Sequence, residues 1–271
     1  MTIALIDNGS LEPAAQLNLR RVAAELAARV GRPVEPVSWK HSDRIAPAAL
    51  GGTPAWTLTP WVRAQLARGE HEFVLVPFFV SAQGAIGSAL RRDLHALQHE
   101  AYDFAYVFSP GIARGGDIAG MLADHIRATA AARQLSRPTV VVVDHGGPSF
   151  DSATLRDEIT SETRRQLGAD FRAVVAASME GDEPHNRPLL ADQLGAGDCD
   201  RDVVVAQLFL APGRHAGLNG DLPRICRAAE ARLPGLHCHL TPLLGTHPRV
   251  IDALASGLQS TLSTFHASTA A

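Results

Sequence analysis

Two histidines in the second part of the chain follow apolar segments at comparable positions. His145 follows the valine-rich segment 140–144, and His215 comes shortly after the apolar segment 202–210. Imidazole nitrogens bind Fe, Co, Ni and Zn, and near neutral pH they also accept protons. Either histidine alone could simply form a hydrogen bond at a strand end or lie in an exposed loop. The two together indicate a metal site or an acid–base site.

A second copy of these segments lies earlier in the chain and lacks the histidines. The matching pairs of segments are 5–10 with 142–147 and 76–85 with 206–215. Asn8 stands in the place of His145, and Ala85 stands in the place of His215. We therefore predict a duplicated fold in which only the second copy carries the site.

Glu180 is the candidate for a third ligand. It follows the predicted second strand of the second copy, which brings it to the same edge of the sheet as the two histidines. Asp182, Glu183 and His185 lie in the same loop and compete for this role, and a solvated acidic loop explains each of them equally well. In the first copy Lys40 is the candidate for the equivalent position, so that copy would lack the carboxylate too.

The elements that position these residues alternate between strand and helix. Apolar runs predict strands at 2–6, 34–38, 73–80, 104–108, 139–144, 171–178, 202–210 and 236–241, and spacings of three and four predict helices at 16–30, 58–66, 89–98, 118–134, 154–167, 188–194, 222–232 and after Pro248. This alternation is typical of α/β proteins with parallel sheets flanked by helices, which bind ligands at the carboxyl ends of the strands. We predict two halves, 1–135 and 139–271, joined by a hinge at 136–138.

The composition argues against several classes of protein. The chain has 271 residues, is 46% hydrophobic and carries a formal net charge of −3, which disfavours nucleic-acid binding. It starts without the basic stretch of a signal peptide and has no apolar run long enough to span a bilayer, so we expect a cytoplasmic protein with no membrane partner. The P-loop, G-x-G-x-x-G and G-x-S-x-G motifs are missing, which disfavours nucleotide-dependent and serine-hydrolase chemistry.

The ordered motifs resemble those of the class II tetrapyrrole chelatases, the family of the sirohydrochlorin cobaltochelatases and ferrochelatases. The resemblance spans nearly the whole chain, and the first half matches as a degenerate copy. The matching segments are 143–147, 207–215 and 243–248, together with 7–10 and 76–81 in the degenerate copy.

The resemblance implies two tandem flavodoxin-like halves, each a parallel sheet flanked by helices, with a cleft between them for a macrocycle. It implies that His145 and His215 bind the metal ion and accept pyrrole protons, and that Glu180 completes the site. The implied reaction is the ATP-independent insertion of Co²⁺ or Fe²⁺ into sirohydrochlorin, with no cofactor beyond the divalent metal substrate (Co²⁺, Fe²⁺ or Ni²⁺). The expected contacts of the macrocycle are Gly146, Gly147, Gly213 and Arg214, with Arg224 a further cation for its carboxylates.

Other interpretations of the sequence stay open. Many two-domain relatives carry the active histidines in the first half, whereas this chain has them in the second. A non-catalytic carrier of metal or tetrapyrrole would fit a chain of which one half has already lost its ligands. A periplasmic-type binding protein also has two α/β halves, but the missing signal peptide argues against it. The sequence fits a monomer or a homodimer, and it leaves the choice of metal ion open.

Overall fold

The computed structural model describes residues 1–80, 85–100, 103–112, 116–181, 184–186, 188–195 and 201–269. The chain forms two compact units. The first unit comprises Met1–Gly116 together with Pro248–Ala271, and the second comprises Asp117–His247.

Strands and helices alternate along both units. The strands are β1 (Thr2–Asp7), β2 (Glu35–Ser38), β3 (Trp56–Thr57), β4 (Glu72–Pro77), β5 (Ala105–Phe108), β6 (Thr139–Gly146), β7 (Ala173–Glu180), β8 (Asp202–Gln207) and β9 (His237–Leu240). The α-helices are α1 (Pro13–Val30), α2 (Leu58–Leu66), α3 (Ala85–His99), α4 (Ile118–Ala132), α5 (Phe150–Leu167), α6 (Leu190–Gly195), α7 (Asp221–Arg232) and α8 (Arg249–Thr269).

The sheet of the first unit is parallel, and its described strands follow the order β3-β2-β1-β4-β5. β1 and β4 lie at its centre and are buried along almost their whole length, as expected for strands covered by helices on both faces. An aromatic cluster fills one face, with 5.5 Å between the ring centroids of Trp61 and Phe73 and 5.6 Å between those of Phe73 and Phe104. This packing supplies much of the apolar burial of the unit.

The sheet of the second unit is also parallel and has the order β7-β6-β8-β9 among its described strands. Numbered within this unit, the strands lie in the order 2-1-3-4, which is also the order of the first four strands of flavodoxin-like sheets. Sheets of this kind bind ligands beyond the carboxyl ends of the central strands. The valines of β6 and β8 are fully buried, and they form a core with Leu222 of α7 and with residues of α6. The predicted α/β fold of parallel sheets flanked by helices is confirmed.

Each sequence half contributes its last helix to the other half's unit. α4, from the first half, packs on α5 and β8 in the second unit, whereas α8, from the second half, packs on α1 and β4 in the first. The contact of α8 is close, because a Cβ at Gly257 would lie 3.1 Å from the carbonyl oxygen of Pro110. The predicted division at 136–138 follows the sequence repeat, whereas the chain passes between the units after Gly116 and after His247.

Several strand ends differ from the predicted ones. β6 continues to Gly146, so that His145 lies inside the strand and not after it. β4 and β8 end at Pro77 and Gln207, although the apolar runs continue beyond them. Those runs reflect burial just beyond the strands, since residues 78 and 208 stay buried and still donate a backbone hydrogen bond to the adjacent strand. Among the described residues, none of the helices combines the length and apolarity needed to cross a membrane.

Candidate metal centre

His145 and Glu180 come together because their strands are parallel neighbours. The register of β6 and β7 pairs Gly146 with Glu180, which puts both side chains at the carboxyl edge of the sheet. His145 Nε2 lies 3.4 Å from Glu180 Oε1, and each side chain is about half exposed. Two potential ligand atoms therefore face each other at a solvent-accessible strand edge.

A glycine makes this close approach possible. Gly146 has φ = +78°, and a Cβ on it would lie only 1.9 Å from the carbonyl oxygen of Glu180. Glycine is the residue that adopts this backbone angle and leaves room for the neighbouring carbonyl. The segment 143–146 thus combines the candidate ligand His145 with the glycine that lets β7 approach it closely.

His215 reaches the same place from the loop between β8 and α7. Its ring is nearly perpendicular to that of His145, at 88°, with 4.6 Å between the ring centroids. The side chain is 18% exposed, and its Nδ1 lies 2.8 Å from Asp221 Oδ2. One histidine is therefore open to solvent and the other is held in a carboxylate hydrogen bond.

The three side chains form a set of potential metal ligands. One ligand atom each from His145, Glu180 and His215 lies within 4.8 Å of the other two. Bonds of about 2.0–2.2 Å to a divalent ion hold ligand atoms at most about 4.4 Å apart, so small side-chain shifts suffice to bind one. Two imidazole nitrogens and one carboxylate oxygen suit first-row transition metals and leave positions open for a further ligand.

A buried polar network lies directly beneath this edge. Arg156 of α5 is fully buried, donates to Ser178 Oγ at 2.9 Å, and lies 3.5 Å from Asp144 Oδ1. The same guanidinium donates to the carbonyl of His185 at 3.1 Å. Burial raises the pKa of Asp144, and the charge of Arg156 opposes that rise. Arg156 thus connects the ends of the two strands that carry His145 and Glu180.

The first unit has the same strand edge without the ligands. A Cβ at Gly9, where φ is +83°, would lie 1.8 Å from the carbonyl oxygen of Lys40, as one at Gly146 would from that of Glu180. Asn8 precedes this glycine as His145 precedes Gly146, and the ammonium of Lys40 lies 3.5 Å from Asp93. A cation and an amide thus stand where the second unit has a carboxylate and an imidazole.

The network beneath this edge is uncharged apart from Asp7. Ser38 Oγ donates to Gln16 Oε1 at 3.1 Å, so the partner of this serine is a neutral amide, whereas Ser178 has the guanidinium of Arg156. Asp7 accepts a hydrogen bond from the backbone N–H of Gly9 at 3.0 Å. Burial raises the pKa of Asp7 to about 6. The first unit thus buries a carboxylate without the guanidinium that accompanies its counterpart Asp144.

The other predicted residues lie around the centre in different ways. Arg214 is strongly exposed, with Nε 3.8 Å from Asp221 Oδ2. Gly147, at φ = +117°, offers its carbonyl to Nε2 of His185, 3.1 Å away. Gly213 lies in the same loop as His215, where a Cβ at Gly217 would lie 2.9 Å from its carbonyl oxygen.

The three residues that compete with Glu180 as third ligand divide into two cases. Asp182 and Glu183 lie outside the described residues. His185 turns toward the carbonyl of Gly147, and its ring centroid lies 5.9 Å from that of Phe150, edge to face. Among the described residues, the sequence prediction missed Arg156 and Asp221, which contact the centre from α5 and from the first turn of α7.

Comparison with known proteins relates the chain to a family and its fold to solved structures. Residues 139–261 match the model of the CbiX family. No curated protein sequence matches the chain. The resemblance to the class II tetrapyrrole chelatases is thereby confirmed, and the match to the CbiX model lies in the second half of the chain.

Solved structures of chelatases share the fold of the whole chain at low sequence identity. SirB from Bacillus subtilis with Fe³⁺ is 14% identical, with a TM-score of 0.64 and coverage of 96% of both chains. The sirohydrochlorin chelatase SirB from Bacillus subtilis subspecies spizizenii in complex with cobalt is 15% identical, with a TM-score of 0.63 and coverage of 96% of this chain and 95% of that one. CbiX, described as the terminal enzyme for biosynthesis of siroheme in denitrifying bacteria, is 16% identical, with a TM-score of 0.63 and coverage of 96% and 99%.

Proposed function

We propose that this protein inserts a divalent metal ion, Co²⁺ or Fe²⁺, into sirohydrochlorin without ATP. The observation that carries the proposal is the set His145, Glu180 and His215, whose ligand atoms lie within 4.8 Å of one another. This set stands at the carboxyl edge of the sheet in the part of the chain that matches the model of the CbiX family. Solved relatives of the same fold include a sirohydrochlorin chelatase in complex with cobalt.

The donor set fits the two tasks of a chelatase. The metal ion is a substrate, so its ligands must hold it without enclosing it, and three side chains leave positions free for macrocycle nitrogens. Insertion of the ion replaces two pyrrole N–H protons, which must be accepted nearby. Imidazole and carboxylate groups serve as general bases at neutral pH, and Glu180 and His145 are exposed enough to pass those protons to water.

Exposed apolar side chains follow both histidines in the sequence and suit a flat macrocycle. Phe150 follows His145 by five residues and is 66% exposed, and Leu218 follows His215 by three residues and is 89% exposed. Large apolar side chains at such exposure gain stability when a ligand covers them. Arg214 and Arg224 add exposed guanidinium groups that suit the carboxylates at the rim of sirohydrochlorin.

The test is anaerobic metallation of sirohydrochlorin with Co²⁺, Fe²⁺ or Ni²⁺, followed by absorbance. We expect a wild-type rate above the spontaneous one and its loss in His145→Ala and His215→Ala. His237→Ala is the matched control, because His237 is exposed on the edge strand β9, and its rate should equal that of the wild type. Macrocycle binding without any enzymatic rate would instead identify a carrier.

A further inference from the structure

We propose that Asp221 is the positioning residue of the metal centre, which fixes the tautomer and orientation of the ligand His215. The inference rests on the proposed function, because it takes His215 to be a metal ligand. Asp221 Oδ2 lies 2.8 Å from His215 Nδ1. An ionised carboxylate only accepts hydrogen bonds, so Nδ1 carries the proton of the neutral ring. The remaining nitrogen, Nε2, is then left with the lone pair that a metal ion requires.

The geometry gives this hydrogen bond little freedom. Both side chains are mostly buried, at 18% exposure for His215 and 16% for Asp221. Asp221 is the first residue of α7, where a negative charge also interacts favourably with the helix dipole. The carboxylate therefore stands on a rigid element and not on a mobile loop.

Backbone hydrogen bonds close the loop on itself around the pair. The N–H of Asp221 donates to the carbonyl of Arg214 at 3.1 Å, and the N–H of Leu222 donates to that of His215 at 3.0 Å. Gly220 completes the closure, since a Cβ on it would lie 2.7 Å from the carbonyl oxygen of His215. Main chain and side chain of His215 are thus both held by the start of α7.

The same carboxylate also holds the neighbouring arginines. Arg224 donates to Oδ1, and Arg214 Nε lies 3.8 Å from Oδ2. These guanidinium groups balance the negative charge of Asp221, while its hydrogen bond to Nδ1 orients His215. Because they are also the cations that we assign to the macrocycle carboxylates, Asp221 joins the metal-binding and macrocycle-binding parts of the site.

The first unit offers an internal comparison. β4 and β8 correspond residue by residue, and the offset that relates them takes His215 to Ala85 and Asp221 to Arg91. The guanidinium of Arg91 lies 4.4 Å from the ring centroid of Phe108. The repeat that lacks the histidine therefore also lacks the carboxylate, as expected if the carboxylate serves the histidine.

The first experiment reads the tautomer directly. ¹⁵N NMR of histidine-labelled protein, with His215 assigned by comparison with His215→Ala, should show Nδ1–H and an unprotonated Nε2 in the metal-free wild type. Asp221→Asn keeps the shape of the side chain, but its amide can donate to Nδ1 as well as accept from it, so we expect the Nε2–H tautomer to appear. A wild-type protein that already has Nε2–H would overturn the proposal, even if the variant failed to fold.

The second experiment measures metal affinity in the whole protein. A Co²⁺ titration followed by visible absorbance should give a Kd about 10- to 100-fold higher in Asp221→Asn, with partial recovery in Asp221→Glu. Asp202→Asn is the matched control, because Asp202 Oδ1 lies 2.9 Å from His239 Nε2 at the opposite, amino edge of the sheet. Its Kd should equal that of the wild type.

The outcomes separate this proposal from the proposed function. Wild-type protein that binds Co²⁺ but does not metallate sirohydrochlorin contradicts the proposed function, whereas the effect of Asp221→Asn on Kd still tests the role of Asp221. Asp221→Asn with a wild-type tautomer and a Kd within twofold of the wild type overturns the positioning role, even if wild-type metallation is fast. With both proposals correct, Asp221→Asn lowers kcat for metallation more than it changes KM for the macrocycle.

Discussion

Gly146 lies so close to the carbonyl oxygen of Glu180 that a Cβ would come within 1.9 Å of it. Gly9 has the same relationship to Lys40 in the first unit, at 1.8 Å. The narrow strand edge is therefore a property of the repeated fold, whereas the candidate metal ligands stand on it in the second unit alone among the described residues. The effect of the glycine on stability and its effect on metal binding can therefore be compared between the two units of one protein.

Gly146→Ala should destabilise the second unit and weaken metal binding. The new Cβ meets the carbonyl of Glu180 and the backbone keeps a positive φ, so we expect a loss of about 2–4 kcal/mol and a Co²⁺ Kd raised at least about tenfold. Gly9→Ala introduces the same clash in the first unit and should leave the Kd unchanged. Thermal unfolding by circular dichroism and Co²⁺ titration measure the two effects. An unchanged Kd in folded Gly146→Ala would show that the register does not position Glu180.

Asp7→Asn should stabilise the first unit at neutral pH but not at pH 4. The pKa of Asp7 is raised from 3.8 to about 6 by burial, so stability is fully present below pH 4 and is lost as the pH rises through 6. A shift of about two pKa units corresponds to about 3 kcal/mol at pH 7.5, which the asparagine should recover in part. All three tryptophans, Trp39, Trp56 and Trp61, lie in the first unit, so urea unfolding followed by tryptophan fluorescence reports on it selectively. Equal gains at pH 4 and pH 7.5 would contradict the assignment to ionisation.

Arg156→Gln should cost more stability than Asp144→Asn. Arg156→Gln removes the guanidinium and leaves Asp144 buried without this cation, so we expect a loss of about 3–5 kcal/mol. Asp144→Asn should cost less, because Arg156 keeps an ion pair with Asp157 at 2.9 Å and because burial raises the pKa of Asp144. The double variant should lose clearly less than the sum of the two, and a double-mutant cycle followed by circular dichroism measures the difference. Additive losses would mean that the two side chains stabilise the unit separately.

The fragment Asp117–His247 should fold and bind Co²⁺, whereas the fragment 139–271 should fold poorly. The first fragment keeps α4, which packs on α5 and β8, and it contains all three candidate ligands. The second fragment lacks α4 and carries α8, whose contacts lie with α1 and β4. Cooperative unfolding and Co²⁺ titration of the purified fragments provide the measurement. Equal stability of both fragments would show that the helix exchange contributes little.

Much of the fold was predictable from the sequence because its signals are local. The buried valines of β6 and the periodic leucines of α1 mark their own elements, and the repeat of the Asp-x-Gly segment indicates a duplication. His145, Glu180 and His215 were predicted to share an edge because parallel strands place their carboxyl ends together, and the structure brings their ligand atoms within 4.8 Å. Their roles as ligands and bases stay predictions.

What the sequence did not reveal depends on long-range packing. Arg156 looks like any charged residue of an amphipathic helix, and only the folded chain shows it buried against Ser178. Asp221 looks like an ordinary acidic residue in the first turn of a helix, and its bond to His215 needs the loop closure to be visible. The exchange of α4 and α8 leaves no local trace, because an amphipathic helix has the same pattern whichever sheet it covers.

The exchange of helices has a consequence for the order in which the protein is made. The second unit, Asp117–His247, is complete once residue 247 has left the ribosome, whereas the first unit also needs α8, which follows residue 248. Domains generally fold as units during synthesis. The unit that carries the candidate metal ligands can therefore finish folding before the first unit, whose sheet emerges earlier but is completed later.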